Sequence, residues 1–148
     1  MFRILLVVAG CLAGTVSDRL CASPLGLEGK VLARKHARLS AEELVEQGYT
    51  VRGDSWSGEA LAGGRVGIRH QLFKGNEYVF TLGTAVPVRF QLAVFTKNRE
   101  PVHGEVTSGS QIASVRVNPP ATGTYLIVFA LVSEEEERIP WSLVYAYR

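Results

Sequence analysis

The sequence predicts a mainly β protein: an antiparallel β-sandwich of about seven to eight strands with one short N-terminal helix. Three observations predict it. From Tyr49 onward, apolar residues recur with a period of two, as in strands with one face in a core. Turn signals built from Gly, Pro and Asn separate these segments. Finally, Tyr125 to Val132 is apolar at both parities and follows the firm stop of Pro119-Pro120 and the turn at Ala121-Thr122-Gly123. Such a run suits a strand in the centre of a sheet or one covered on both sides.

The 148 residues suit one domain. A chain of this length buries roughly two thirds of its unfolded surface and needs no covalent staple. Sixteen basic and fourteen acidic residues, mixed along the chain, leave a net charge of +2. That field is too weak to argue for nucleic acid.

Residues 1–22 read as a signal peptide. Met1-Phe2-Arg3 is a short positive region and Ile4 to Val16 is uncharged, too short to span a bilayer. Cleavage after Ala22 fits, and a cut near Ser17 is the alternative. A second reading competes. Val8-Ala9-Gly10-Cys11 matches the lipobox of bacterial lipoproteins, and lipidation of Cys11 would anchor the protein to a membrane; against it, the apolar stretch between Arg3 and Cys11 is short. Both cysteines, Cys11 and Cys21, lie in this leader, so the rest of the chain holds no disulfide and no thiolate metal site.

Residues 23–53 read as a linker and a short helix. Glu28 to Arg38 is basic, with Lys30, Arg34, Lys35 and Arg38, and reads as a short helix, an ordered arm or a solvated flank. Ser40-Ala41-Glu42-Glu43 is a capping box, with Leu39 and Leu44 spaced as a hydrophobic staple. Gly48 supplies the stop, which predicts a two-turn helix over Ala41 to Gln47. Its glutamates suit the positive end of the helix dipole without any catalytic role.

Residues 54–148 read as the sandwich. Strands are expected at Tyr49 to Arg52, just before it, then at Val66 to Phe73, Tyr78 to Leu82, Val88 to Val94, Ala113 to Val117, Tyr125 to Val132 and Trp141 to Tyr147. Those from Tyr49 to Val117 are expected to keep one wet face. Gly53 to Gly58 reads as a loop carrying Trp56, and Glu134 to Glu137 as a loop forced into water.

The segment from about Gly58 to Arg148 resembles the bacterial pre-peptidase C-terminal domain and its jelly-roll relatives. The matching residues are Gly58-Glu59-Ala60-Leu61, then Leu72-Phe73-Lys74-Gly75-Asn76-Glu77-Tyr78-Val79-Phe80, then Phe90 to Phe95 leading into Asn98-Arg99-Glu100-Pro101-Val102. The clearest is Pro120-Ala121-Thr122-Gly123-Thr124-Tyr125-Leu126-Ile127-Val128. The resemblance implies a jelly-roll-like sandwich that is secreted, non-catalytic and linked to secretion, adhesion or polysaccharide contact. Some such domains bind calcium through acidic loops. Here Gly83-Thr84-Ala85-Val86-Pro87 has no carboxylate, and Asp54 is the only Asp after the leader. Calcium takes several oxygen ligands, so no metal and no cofactor is expected. Glu134 to Glu137 are consecutive and a strand-edge loop would splay them apart.

Candidate chemistry is sparse. His36, His70 and His103 are far apart, without ligand partners at i+2 or i+4. His70 follows the apolar parity of its strand and reads as a buried, hydrogen-bonded histidine. A triad could be assembled from Ser55 or Ser57, His70 or His103, and Asp54, but nothing marks a nucleophile elbow or an oxyanion loop. Gly63-Gly64-Arg65 lacks the spacing and the Lys-Ser/Thr of a phosphate loop. Trp56, flanked by Asp54 and Ser57, is the candidate ligand-binding set: an exposed tryptophan can stack on a sugar ring. The alternative is that Trp56 folds back over the sandwich edge. Trp141 reads as core.

The sequence therefore predicts an exported, non-catalytic module, periplasmic or secreted, with a structural or ligand-contact role. A carbohydrate-binding protein using loop aromatics is the alternative, and a small secreted hydrolase the second alternative. The expected partners are a polysaccharide or an envelope protein, no nucleic acid, and a membrane only through lipidation of Cys11.

Overall fold

The computed structural model describes residues 24–148; the leader and Cys11 lie outside the described residues. Helix α1 spans Pro24–Glu42, a 3-10 turn follows at Val45–Gln47, and ten strands complete the chain. They are β1 Thr50–Val51, β2 Trp56–Leu61, β3 Arg65–Leu72, β4 Tyr78–Thr84, β5 Arg89–Thr96, β6 Pro101–Val102, β7 Gly104–Ser108, β8 Ile112–Val117, β9 Gly123–Val132 and β10 Arg138–Tyr147.

All pairings are antiparallel and form two sheets. One runs β1-β10-β4-β8-β7, with β2 taking the remaining length of the β10 edge beside β1; the other runs β3-β9-β5-β6. The two sheets face each other over one core. Phe80, Leu82, Val115 and Leu143 meet Leu72, Val94, Ile127 and Phe129 there, all essentially without solvent exposure. The run that follows Pro119-Pro120 is β9, flanked by β3 and β5 in the middle of its sheet, with its inward residues buried and its outward Leu126, Val128 and Val132 half-buried.

The helix differs from expectation in length and place. It runs 19 residues and takes in the basic stretch, for which a short helix is one of the readings, and Ser40 stands inside its last turns rather than at its N-cap. Tertiary packing explains this. Gly29, Ala33, Ala37 and Ala41 recur every four residues and so lie on one helix face. The three alanines are fully buried against the outer face of the six-stranded sheet. A Cβ at Gly29 would stand 2.6 Å from Pro140 Cγ, and one at Gly83 would stand 2.7 Å from the Ala37 amide nitrogen. Close packing along this stripe outweighs a cap of about 1 kcal/mol. Gly48 stops the helical segment as expected, left-handed at φ 87° and donating its N–H to Val45.

The same contact overturns the expectation of a wet face on β4 and buries most of β10 as well. All seven residues of β4 are buried, and β10 is buried from Ile139 to Ala146 apart from half-buried Pro140. Val79 and Ala146 pack with Leu44 and Tyr49, and Val144 packs with Ala37 and Ala41.

A polar latch closes this corner. Buried Tyr49 donates its hydroxyl to Glu77, and Arg148 bridges Glu77 at 3.1 Å while its guanidinium stands 4.5 Å from the Tyr49 ring centre. Arg116 approaches Glu77 at 3.9 Å. The Tyr49 hydrogen bond, with the charges of Arg148 and Arg116, holds the Glu77 carboxyl below its usual range.

Candidate functional site

Trp56 opens β2 rather than sitting in a loop. The local sequence hides this strand: Trp56-Ser57-Gly58-Glu59-Ala60-Leu61 alternates weakly and holds a glycine. The ladder from Leu143 to Arg138 of β10 supplies its hydrogen bonds. Gly58 is the residue that fits here, because the Trp141 ring lies 2.9 Å from where a Cβ would be.

Alternation then separates the expected binding residues. Trp56 and Ala60 point into the sandwich, while Ser57 points to the helix side. Ser57 Oγ donates to Ser142 Oγ at 2.9 Å, Ser142 Oγ donates to the Trp56 carbonyl at 3.1 Å, and Arg34 reaches Ser57 Oγ at 3.5 Å. Trp56 and Ser57 therefore do not share a site. Asp54, exposed in the loop before β2, pairs with Arg52 at 3.5 Å.

Trp56 itself is half-buried and folds back over the edge of the sandwich, where β2 of one sheet meets β3 of the other. His70 faces inward from β3, as its parity required. Its contacts are aromatic: Trp56 at 5.2 Å and Tyr145 at 4.5 Å between ring centres, both edge-on, with Phe80 behind at 6.2 Å. The expected hydrogen bond is absent from the bonds His70 makes among the described residues. Trp56 also lies tilted against Tyr145 at 5.8 Å.

Beside these rings runs a groove of about 380 Å³, lined by Arg52, His70, Gln71, Asn76, Tyr145 and Tyr147 among others. Burial pushes the proton affinity of His70 below the ordinary value; Asp54 pulls it back up and Arg52 pushes it down. Burial raises the Tyr145 phenol, Asp54 adding to the rise. The site thus presents neutral aromatic groups and one exposed ion pair. Arg52, Tyr145, Tyr147 and Asn76 were not marked by the sequence. The alternation of Tyr145 and Tyr147 places them on a core face and says nothing of which end of the strand opens to solvent.

The remaining candidates stay apart. His36 donates to the Thr84 carbonyl at 2.8 Å from α1, and His103 is exposed between β6 and β7. No hydrogen bond joins His70 to a serine or a carboxylate among the described residues, and Ser57 is turned away from it. No group of three or more His, Cys, Asp or Glu able to hold a metal occurs among the described residues. Glu134 to Glu137 are exposed, the Ser133 hydroxyl accepting from the N–H of Glu135 and Glu136. No helix among the described residues is long and apolar enough to cross a membrane.

No protein-family model and no curated protein matches the chain; of the likeness to pre-peptidase C-terminal domains, the structure shows the β-rich sandwich. Among solved structures, the chain is similar to PliG of Aeromonas hydrophila, a periplasmic inhibitor of g-type lysozyme. The TM-score is 0.50 at 16% identity, over 64% of this chain and 85% of that one. At that identity the similarity is one of fold, and that fold is β-rich.

Proposed function

We propose that the protein is an exported, non-catalytic contact module of the bacterial envelope or its exterior, with its ligand in the groove beside Trp56, His70 and Tyr145. The observation that carries this is the gathering of these rings at an open edge between the sheets, next to the exposed Arg52–Asp54 pair. Aromatic side chains give large contact area for little conformational entropy. With its proton affinity lowered, His70 is neutral at pH 7 and offers one ring nitrogen as donor and the other as acceptor.

The likeness in fold to a periplasmic lysozyme inhibitor supports an envelope protein as the ligand. The resemblance to secreted pre-peptidase C-terminal domains supports export. A polysaccharide is the second reading, favoured by the Gln71 and Asn76 amides that line the groove with the aromatic rings.

The test uses residues 23–148 and a Trp56→Ala variant of verified fold. Retention on insoluble polysaccharides that Trp56→Ala abolishes makes the ligand a sugar. A photo-cross-linker at Gln71 that captures an envelope protein only when Trp56 is present makes it a protein. Failure of both, with no retention and no Trp56-dependent capture, would sink the groove as a contact site, and a hydrolytic activity lost in His70→Ala would overturn the non-catalytic reading.

A further inference from the structure

The outer face of the four-stranded sheet is not used by α1, and of its β3 residues only Gln71, near the strand's end, also lines the groove. Directly opposed residues of antiparallel neighbours share a face, so the register defines its rows. Gly67, Val128 and Ala93 form the middle row. Arg69, Leu126 and Phe95 form the row on one side; Arg65, Ala130 and Gln91 form the row on the other, followed by Val132 and Arg89. Because Gly67 and Ala93 are small, the middle is hollow: a trough of about 470 Å³, floored by Ala93, Leu126 and Val128, all half-buried.

Arginines surround this apolar floor. Arg65, Arg69 and Arg89 flank it and Arg99 lines it from the turn between β5 and β6. All four are exposed, and none forms an ion pair among the described residues. No Asp or Glu stands at an outward position of β3, β5 or β9; Glu100, in the turn beside Arg99, is adjacent in sequence. Arg99 holds a left-handed backbone at φ 64°, a conformation that favours glycine or asparagine. A local strain is thus kept at a residue that lines the trough.

We propose that this face docks a protein partner that presents acidic residues around an apolar patch. A purely polyanionic ligand would pair with the arginines and leave the floor wet, whereas a protein surface covers both. A second copy of this chain would bring its own four arginines, and no carboxylate of β3, β5 or β9, to a face that already carries four. A two-fold axis crossing the strands at the Val128 row stacks each strand on its own copy, antiparallel, and sets Arg65 against the copy's Arg69. Like charges in that position repel. The inference rests on a surface separate from the groove and stands whether or not the groove binds.

The experiment measures binding of a labelled short peptide of alternating glutamate and leucine to residues 23–148 by fluorescence anisotropy. A lysine–leucine peptide, dextran sulfate and vesicles of phosphatidylcholine with phosphatidylglycerol are the comparisons. Binding of the acidic peptide is expected. It should weaken roughly tenfold or more in the double variant Arg65→Glu/Arg89→Glu. Arg99→Gly should weaken it by roughly threefold while leaving Tm unchanged or higher, because glycine accepts the left-handed backbone; this variant separates docking from folding. Trp56→Ala should leave it unchanged, which keeps this result distinct from failure of the groove. The proposal is overturned if the acidic peptide does not bind, if the lysine–leucine peptide binds equally, or if the arginine variants do not weaken binding. Vesicles or dextran sulfate bound as tightly and lost in the same variants would make the face a membrane or polyanion site. A sedimenting dimer lost in those variants would make it a self-interface.

Discussion

Gly83 of β4 lies against Ala37 of α1 so closely that a Cβ on Gly83 would stand 2.7 Å from the Ala37 amide nitrogen. The helix is thereby seated on the sheet through backbone contact, not through long side chains. Gly83→Ala must push the helix off or distort β4, and overpacking of this kind costs about 1–3 kcal/mol. Gly67→Ala is the control, since nothing lies within 4 Å of its added methyl; it should be neutral or stabilising by about 0.5 kcal/mol. Urea denaturation of both variants reads the difference, and equal midpoints would show that the helix is not seated this way.

The latch at Glu77 predicts an acid-sensitive contribution. Its folded carboxyl titrates below the ordinary 4.5, so the unfolded chain takes up that proton first as pH falls. The stabilisation is complete above the ordinary value and is lost as pH falls through the folded one. Glu77→Gln should cost about 1–2 kcal/mol at pH 7, and the gap from wild type should close in acid. A gap that does not change with pH would remove the carboxylate charge from the explanation.

His70 makes the opposite kind of group follow the same rule. Its folded proton affinity lies below the ordinary 6.5 because of burial. Below pH 6.5 the unfolded chain binds a proton that the folded chain refuses, so stability falls from there until the folded imidazole titrates. Tm measured against pH should show this loss in wild type and not in His70→Phe. NMR titration of the ring should give a midpoint under 6.5.

The two tryptophans should separate optically. Trp141 is 7% exposed and packs on Phe129 at 4.9 Å, whereas Trp56 is half-buried at the sandwich edge against His70 and Tyr145. In Trp141→Phe the remaining fluorescence should be partly quenched by iodide; in Trp56→Phe it should be shielded. Equal quenching in the two variants would mean that the edge of the sandwich is closed in solution.

Much of the sandwich was legible because strand alternation is local. The parity of Val66, Ile68 and His70, or of Trp141, Leu143 and Tyr145, is written into successive residues and needs no partner to be read. The apolar run of β9, with Pro119-Pro120 before it, announced a central strand for the same reason, and Gly48 a stop, because its left-handed backbone is a property of one residue. Tertiary structure alone decided the rest. The capping box at Ser40 yielded to a stripe of Gly29, Ala33, Ala37 and Ala41, whose value exists only where a sheet offers Gly83 and Val144 to receive it. β2 became a strand because β10 had an edge to fill, and that pairing sent Ser57 to the helix and Trp56 against His70 and Tyr145. The meeting of Trp56, His70 and Tyr145 depends on two sheets closing over one another, a contact between residues far apart in the chain that no local pattern records.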